Sequence, residues 1–396
     1  MAAVSPGVIT GALARAVRAG ARGAAAGAVA LALAACSSDS IKPAELVNFK
    51  ATGQVRVVWR TSVGEAKSYV FSPAVHSDSV FAAAAAGQLV RLNAASGKQV
   101  WRTETKEPLS GGVGADLDLV LVGTPKGGVL AYGQDGKQRW RAQLSSEVLG
   151  APRAADGMVV ARTVDGRLFG LDAATGQRKW EHQTSLPALL LRAQPSVIFA
   201  RKLVLAGLAG GRLLALDLAT GTPVWETVVA QPKGNNELER ISDIAAVPVL
   251  VGNDQVCAVA YQGRIACVDL NKGALVWGRD ASSAARIGSE RSALFVTQPD
   301  GTVLGFDKDS GATLWKQAAL LNRSVTGPVA LGEFVVVGDY QGYIHVLDAQ
   351  NGEFVARTST DGSAVNSEPV RVGSNLLVQT NAGGLYAVAI EQKAKP

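Results

Sequence analysis

The chain is poor in the residues that do chemistry. It holds three histidines, three cysteines and two methionines in 396 residues. His76, His182 and His345 lie far apart, with no His-x-x-x-His, His-x-Glu or Cys-x-x-Cys spacing, so no zinc-site motif is written here and no metal is expected. There is no Gly-x-Ser-x-Gly elbow, which removes the α/β-hydrolase signature. Sustained helical periodicity is missing from the repeat region described next. The apolar run Ala24–Cys36 is too short to span a bilayer as a mature helix. Charge of one sign is also scarce. The formal net charge is +6, but residues 1–35 contain Arg15, Arg18 and Arg22 and no acid, so the rest of the chain carries +3 (36 basic minus 33 acidic). No long basic run or aromatic-basic interleave points to nucleic acid.

What the chain has is one phrase written many times. GQLVRLNAASGKQVW (Gly87 to Trp101), GRLFGLDAATGQRKW (Gly166 to Trp180), GRLLALDLATGTPVW (Gly211 to Trp225), GRIACVDLNKGALVW (Gly263 to Trp277) and GTVLGFDKDSGATLW (Gly301 to Trp315) are five copies. GGVLAYGQDGKQRW, Gly127 to Trp140, lacks one residue, and GYIHVLDAQNGEFVA has Ala356 where the Trp belongs. A period near 40 residues marks a repeat architecture. Within a unit, VVARTV (159–164) is an apolar β-branched run, and Asp165-Gly166 is a pair that favours a tight hairpin turn. RLFGLD alternates with period 2, with Leu168 and Gly170 on one face and Phe169 and Leu171 on the other. Asp172 to Gly176 is a second turn, and a further strand lies upstream near Pro152. Four short antiparallel strands per unit predict an all-β, eight-bladed β-propeller. A solenoid would need caps at both ends. The ends argue for closure instead. The last half-copy, Gly383 to Ile390, has no Trp strand after it, and QVRVVWR (54–60) is a Trp strand with no copy before it. Joined, they complete one blade. Each Trp is then a large apolar plate for the seam between blades.

The front end reads as export and anchoring. Small residues before Cys36, in Leu33-Ala34-Ala35-Cys36, resemble the bacterial lipobox. That resemblance implies a signal peptide over 1–35 and acylation of Cys36. Ser37 in place of Asp favours the outer membrane, with the propeller facing the periplasm. Several acyl chains anchor firmly, at about 0.8 kcal/mol per buried CH₂. The mature chain is thus divided into a lipidated Cys and flexible tether (36–50) and the propeller (51–396). The other two cysteines, Cys257 and Cys267, lie on the two arms of the hairpin VCAVAYQGRIAC. A periplasmic disulfide and two buried free thiols both fit that placement.

Because the repeat is so regular, departures from it carry the information. Asp172, Asp217, Asp269, Asp307 and Asp348 share one slot of the repeat and read as turn devices, not catalytic acids. From the Trp slot to the next inner-strand Pro takes 12 to 15 residues in most units, but 23 from Trp225 to Pro248. The excess is VAQPKGNNELERISD (229–243). The preceding connection, HQTSLPALLLRAQP (182–195), puts Leu189, Leu190 and Leu191 beside Arg192. Both connections join outer to inner strands of consecutive blades, so parity places them on one face of the ring. Together they read as a protein-binding patch, or the leucines simply begin a buried strand.

Lipobox, tether, Trp repeats and these two connections together resemble the family of outer-membrane protein assembly factors, BamB. The resemblance covers essentially the whole chain. It implies a non-catalytic lipoprotein scaffold with no cofactor, binding the periplasmic domains of a BamA-like β-barrel protein. It implies Leu189, Leu191 and Arg192, with Arg240 and Asp243, as partner-binding residues. The family pattern has a second Asp two residues after the Asp of Ser-Asp, and this chain has Ala245. Unfolded outer-membrane proteins are further expected partners, pairing as extended strands with blade edges. Two rival readings remain. One is a quinoprotein dehydrogenase holding pyrroloquinoline quinone over the axis, a family that uses an adjacent-cysteine disulfide absent here. The other is a lipid-anchored propeller with a different envelope partner.

Overall fold

The computed structural model describes residues 42–193 and 196–392. The signal segment, Cys36 and Pro195 lie outside the described residues. Among those described there are only strands, turns and extended segments, grouped into eight four-stranded antiparallel sheets. Blade three shows how the repeat folds. Its strands, from the inside out, are Arg153–Ala155, Met158–Arg162, Arg167–Asp172 and Arg178–Gln183. The Asp-Gly hairpin is looser than a two-residue turn. Gly166 takes φ +83, and Thr163 and Arg167 close a three-residue loop through the Thr163 amide and the Arg167 carbonyl at 3.0 Å. A single left-handed glycine after the bend suits that loop length.

The expected alternation in RLFGLD is observed, and both faces are buried. Phe169 and Leu171 pack with Trp140 of the preceding blade. Leu168 packs with Trp180 and with Val204 and Leu214 of the following one. Each blade is therefore a filling between two neighbours, so its third strand reads as apolar on both sides. The Asp slot is a turn device as expected. Asp172 Oδ1 accepts from the backbone amides of Ala174 (3.1 Å) and Thr175 (3.0 Å) and from the Thr175 hydroxyl (3.0 Å). Asp217 repeats this with Ala219 and Thr220.

The Trp seam has a fixed geometry. Each indole N–H reaches into the next blade and donates to a carbonyl in its outer turn. Trp59 donates to Ala94 (3.0 Å), Trp140 to Ala173 (2.8 Å), Trp180 to Leu218 (2.9 Å) and Trp315 to Ala349 (2.9 Å). The ring then lies against the glycine that ends that turn. A Cβ on Gly176, at φ +74, would sit 2.6 Å from the Trp140 ring. This contact explains why the turn glycine recurs with the Trp.

It also explains Ala356. The blade after it is the closing one, built from Val370–Val372, Asn375–Gln379 and Gly384–Gln392 near the C terminus and Gly53–Ser62 near the N terminus. Gly53 pairs with Gln392 and Ser62 with Gly384. The outer turn that a Trp would cover does not exist there, because two chain ends replace it. The start of the N-terminal strand fills the place instead: the Thr52 amide donates to the Val355 carbonyl at 3.1 Å.

Candidate functional site

The connections from outer to inner strands gather on the face that also carries the turns between second and third strands. The Thr184 amide bonds to the Gly166 carbonyl at 2.9 Å and the Val229 amide to that of Gly211 at 2.8 Å. These connections and the inner strands, from all eight blades, surround an axial cavity of about 710 Å³. Asp116 and Arg153 form a two-bonded ion pair in its wall, at 2.6 and 2.9 Å. Among the described residues no group of three His, Cys, Asp or Glu side chains is placed to hold a metal ion.

The two unusual connections are neighbours, and one side chain fastens them. Asp243 Oδ2 accepts from the Leu191 amide at 2.7 Å, and its Oδ1 accepts from the Gly210 amide at 3.0 Å. Its own carbonyl accepts from the Tyr261 amide at 2.9 Å. Asp243 thus ties the connection before blade four, the turn within blade four and the turn within blade five. The family resemblance implies that Asp243 binds the partner. In the structure it is 4% exposed, because both carboxylate oxygens turn inward to the half-buried backbone N–H groups of Leu191 and Gly210. Ala245 is likewise buried and faces the axial cavity, so its position is not on the outer rim.

The other expected residues are distributed differently. Leu189 to Leu191 lie in irregular chain, not in a strand. Leu189 is 43% exposed, while Leu191 is half-buried and contributes its backbone amide. Arg192 is exposed, donates to Glu147 Oε2 at 2.8 Å and lies over the Tyr69 ring, 5.9 Å from its centroid. Tyr69 belongs to the connection into blade one, so Arg192 reaches across the cavity mouth. Arg240 is exposed, with its Nε donating to the Gly234 carbonyl at 3.1 Å.

Arg240 sits on a small self-capped turn. Asn236 Oδ1 accepts from the Glu239 amide at 2.9 Å, and Glu239 returns its carboxylate to the Asn236 side chain (2.8 Å) and the Asn235 amide (2.7 Å). This reciprocal pattern is like a capping box, with the carboxylate reaching the Asn235 amide in place of that of Asn236. It holds up Leu238, 67% exposed and the most exposed large apolar side chain among the described residues. Leu238, Glu147 and Tyr69 were not visible as site residues in the sequence. Glu147 sits in the connection one blade earlier, a position that parity alone would have offered.

Blade five supports this turn from beneath. Cys257 and Cys267 are direct cross-strand partners on Gln255–Val259 and Arg264–Asp269, fully buried and joined as a disulfide. The tip of their hairpin is Tyr261-Gln262, the turn that Asp243 grips.

Comparison with known proteins gives the family. The family described as "Outer membrane protein assembly factor BamB" matches residues 43–109, 85–317 and 299–395. The factor of that name from Burkholderia pseudomallei is 41% identical, over 90% of this chain and 94% of its own length. That from Pseudomonas aeruginosa is 39% identical, over 91% and 96%. The crystal structure of BamB from Moraxella catarrhalis superposes with a TM-score of 0.79 at 27% identity, covering 85% of this chain and 99% of that one. A quinohemoprotein alcohol dehydrogenase from Comamonas testosteroni shares the fold alone, with a TM-score of 0.68 at 13% identity over 86% of this chain and 77% of its own. The chain is a non-catalytic β-propeller and belongs to the outer-membrane protein assembly factor BamB family.

Proposed function

We propose that the chain is a lipoprotein scaffold of the outer-membrane β-barrel assembly machinery. Acylated Cys36 holds it at the outer membrane with the propeller in the periplasm. Its connection face binds the periplasmic domains of a BamA-like protein and so assists folding and insertion of outer-membrane proteins. Leu189 and Leu238 supply the apolar centre of the contact. Arg192 and Arg240 flank it as charge-assisted donors to carboxylates or backbone carbonyls on the partner. Asp243 acts from beneath as a positioning residue. The observation that carries this reading is the Asp243 clamp, which spends a buried carboxylate on holding together the two connections that depart from the repeat.

The test is detergent co-purification from envelopes, with captured proteins identified by mass spectrometry. Wild type brings down the BamA-like barrel protein. Arg192→Glu and Asp243→Ala, shown to be folded by circular dichroism, lose it. Recovery of no barrel protein by wild type overturns the scaffold reading. Equal recovery by all three removes these residues from the interface.

A further inference from the structure

A buried polar cluster lies in blade seven, in the turn between its second and third strands and the connection into it, away from the two connections at blades four and five, and the family reading gives it no task. It centres on Asp339, fully buried. Asp339 accepts from Arg323 (Nε, 2.8 Å), from His345 Nε2 (3.0 Å) and from the backbone amides of Gln341 (2.9 Å) and Tyr343 (3.0 Å). His345 is also fully buried, and its second nitrogen, Nδ1, accepts from Arg357 Nε at 3.1 Å.

Those two contacts fix the imidazole. Nε2 faces a carboxylate, which only accepts and already takes three other donors, so Nε2 carries the proton. Nδ1 faces a guanidinium N–H, so Nδ1 must offer a lone pair. The geometry is satisfied only by neutral His345.

Both arginines continue outward to the same place. Arg323 Nη1 donates to the Ala44 carbonyl at 2.8 Å, and Arg357 Nη1 donates to that of Val47 at 3.1 Å. The Arg357 guanidinium also lies beside two rings, 5.0 Å from Phe49 and 5.3 Å from Phe354, which are stacked on each other at 5.2 Å. The Ala44 amide donates to the Leu321 carbonyl at 2.8 Å. Residues 44–52 therefore lie along the outer strand of blade seven and reach the connection between blades six and seven. Part of the segment read from sequence as a flexible tether is strapped to the propeller, and its backbone carbonyls are held by side chains whose aim is set by a buried histidine.

We propose that residues 44–49 are a releasable strap, locked on blade seven while His345 is neutral and freed when His345 takes a second proton. A proton on Nδ1 removes the acceptor of Arg357 and sets two donors against each other. Arg357 then turns away, and Val47 and Phe49 lose their hold. The charged and titratable groups facing His345 are Asp339 and Tyr343 from its own strand side, Arg357 from the outer strand and Arg323 from the connection. Burial is the main cause that keeps His345 below its ordinary value of 6.5, opposed by Asp339 and reinforced by the two arginines. A histidine held low when docked binds more protons when released. With Arg357 turned away the imidazole takes a proton more readily than when docked, so the strap is held at neutral pH and weakens as pH falls. This goes beyond the scaffold reading and does not depend on it.

The test is hydrogen exchange with mass spectrometry on the full chain in detergent, read as the protection factor of the Ala44 amide, the strap amide that bonds to the Leu321 carbonyl. Wild type is protected there at about pH 7.5 and loses at least about tenfold of that protection by about pH 4.5, while the strands of blade seven stay protected. Arg357→Gln leaves the Ala44 amide unprotected at both pH values. His345→Asn gives protection that does not change with pH. The proposal fails if wild-type protection of Ala44 is the same at both pH values. It also fails if Arg357→Gln stays protected at the higher pH, or if blade seven exchanges together with the strap.

Discussion

Trp140 and Gly176 are two residues whose reasons are mutual. The indole needs a flat, side-chain-free turn with a free carbonyl, and the turn needs φ +74 at its last residue. Gly176→Ala breaks both conditions at once, so it destabilises by more than the roughly 1 kcal/mol expected from backbone conformation alone. Trp180→Ala removes a buried plate and its hydrogen bond and costs about 3–5 kcal/mol. Denaturant titration of each variant checks both figures, and a cost under about 1 kcal/mol for either contradicts the seam described here. Asp172, Asp217 and Asp307 are held below the ordinary carboxylate value of 3.8, chiefly by the hydroxyls and then the amides of Thr175, Thr220 and Ser310. A depressed folded-state value stabilises above the ordinary carboxylate value, and this is lost as pH falls through the folded one. The melting temperature therefore drops below about pH 4, and Thr175→Val flattens that drop. The Asp slot was legible in the sequence because the same letter recurs in the same turn. Asp243 was legible only as important. Its burial depends on amides at Leu191 and Gly210, which the sequence does not place beside it.

At the scale of the element, the hairpin Gln255–Asp269 does two tasks. Its arms are cross-linked by Cys257 and Cys267, and its tip meets the Asp243 segment. Removing the disulfide with Cys257→Ser and Cys267→Ser costs about 2–3 kcal/mol for a loop this short, with two buried hydroxyls adding to the loss. Thermal melts with and without reductant measure it, and an unchanged melting temperature contradicts the cross-link. The connection 231–241 behaves oppositely. It is exposed and braced by its own self-capped turn. Replacing it with a short Gly-Ser link leaves stability within about 1 kcal/mol and removes partner binding. Strands and turns could be read from periodicity because both faces of each blade are buried in the same way. The irregular connections could be found as departures from that period. Their internal geometry could not, since it rests on single side chains such as Glu239 reaching back to Asn236.

At the scale of the molecule, the ring closes because chain ends meet in one blade, and this was legible from an orphan Trp strand at one end and an orphan half-copy at the other. The lone Ala356 follows from that closure and was unexplained until the two ends were seen in place of an outer turn. The strap was not legible. Val47 and Phe49 look like ordinary tether residues until Arg357 and Phe354 are brought to them by blade seven. The ring closes on itself, and the long connection 229–243 and its neighbour before blade four stand on one face of it, with exposed leucines Leu238 and Leu189. We propose these leucines as the contact with the assembly partner. Calorimetric titration of the chain with the purified periplasmic domains of the BamA-like protein tests it most directly, with Leu189→Asp and Leu238→Asp compared with wild type. Saturable binding that weakens at least about tenfold in each variant, without loss of melting temperature, is the predicted result. Wild-type affinity in both variants contradicts the account.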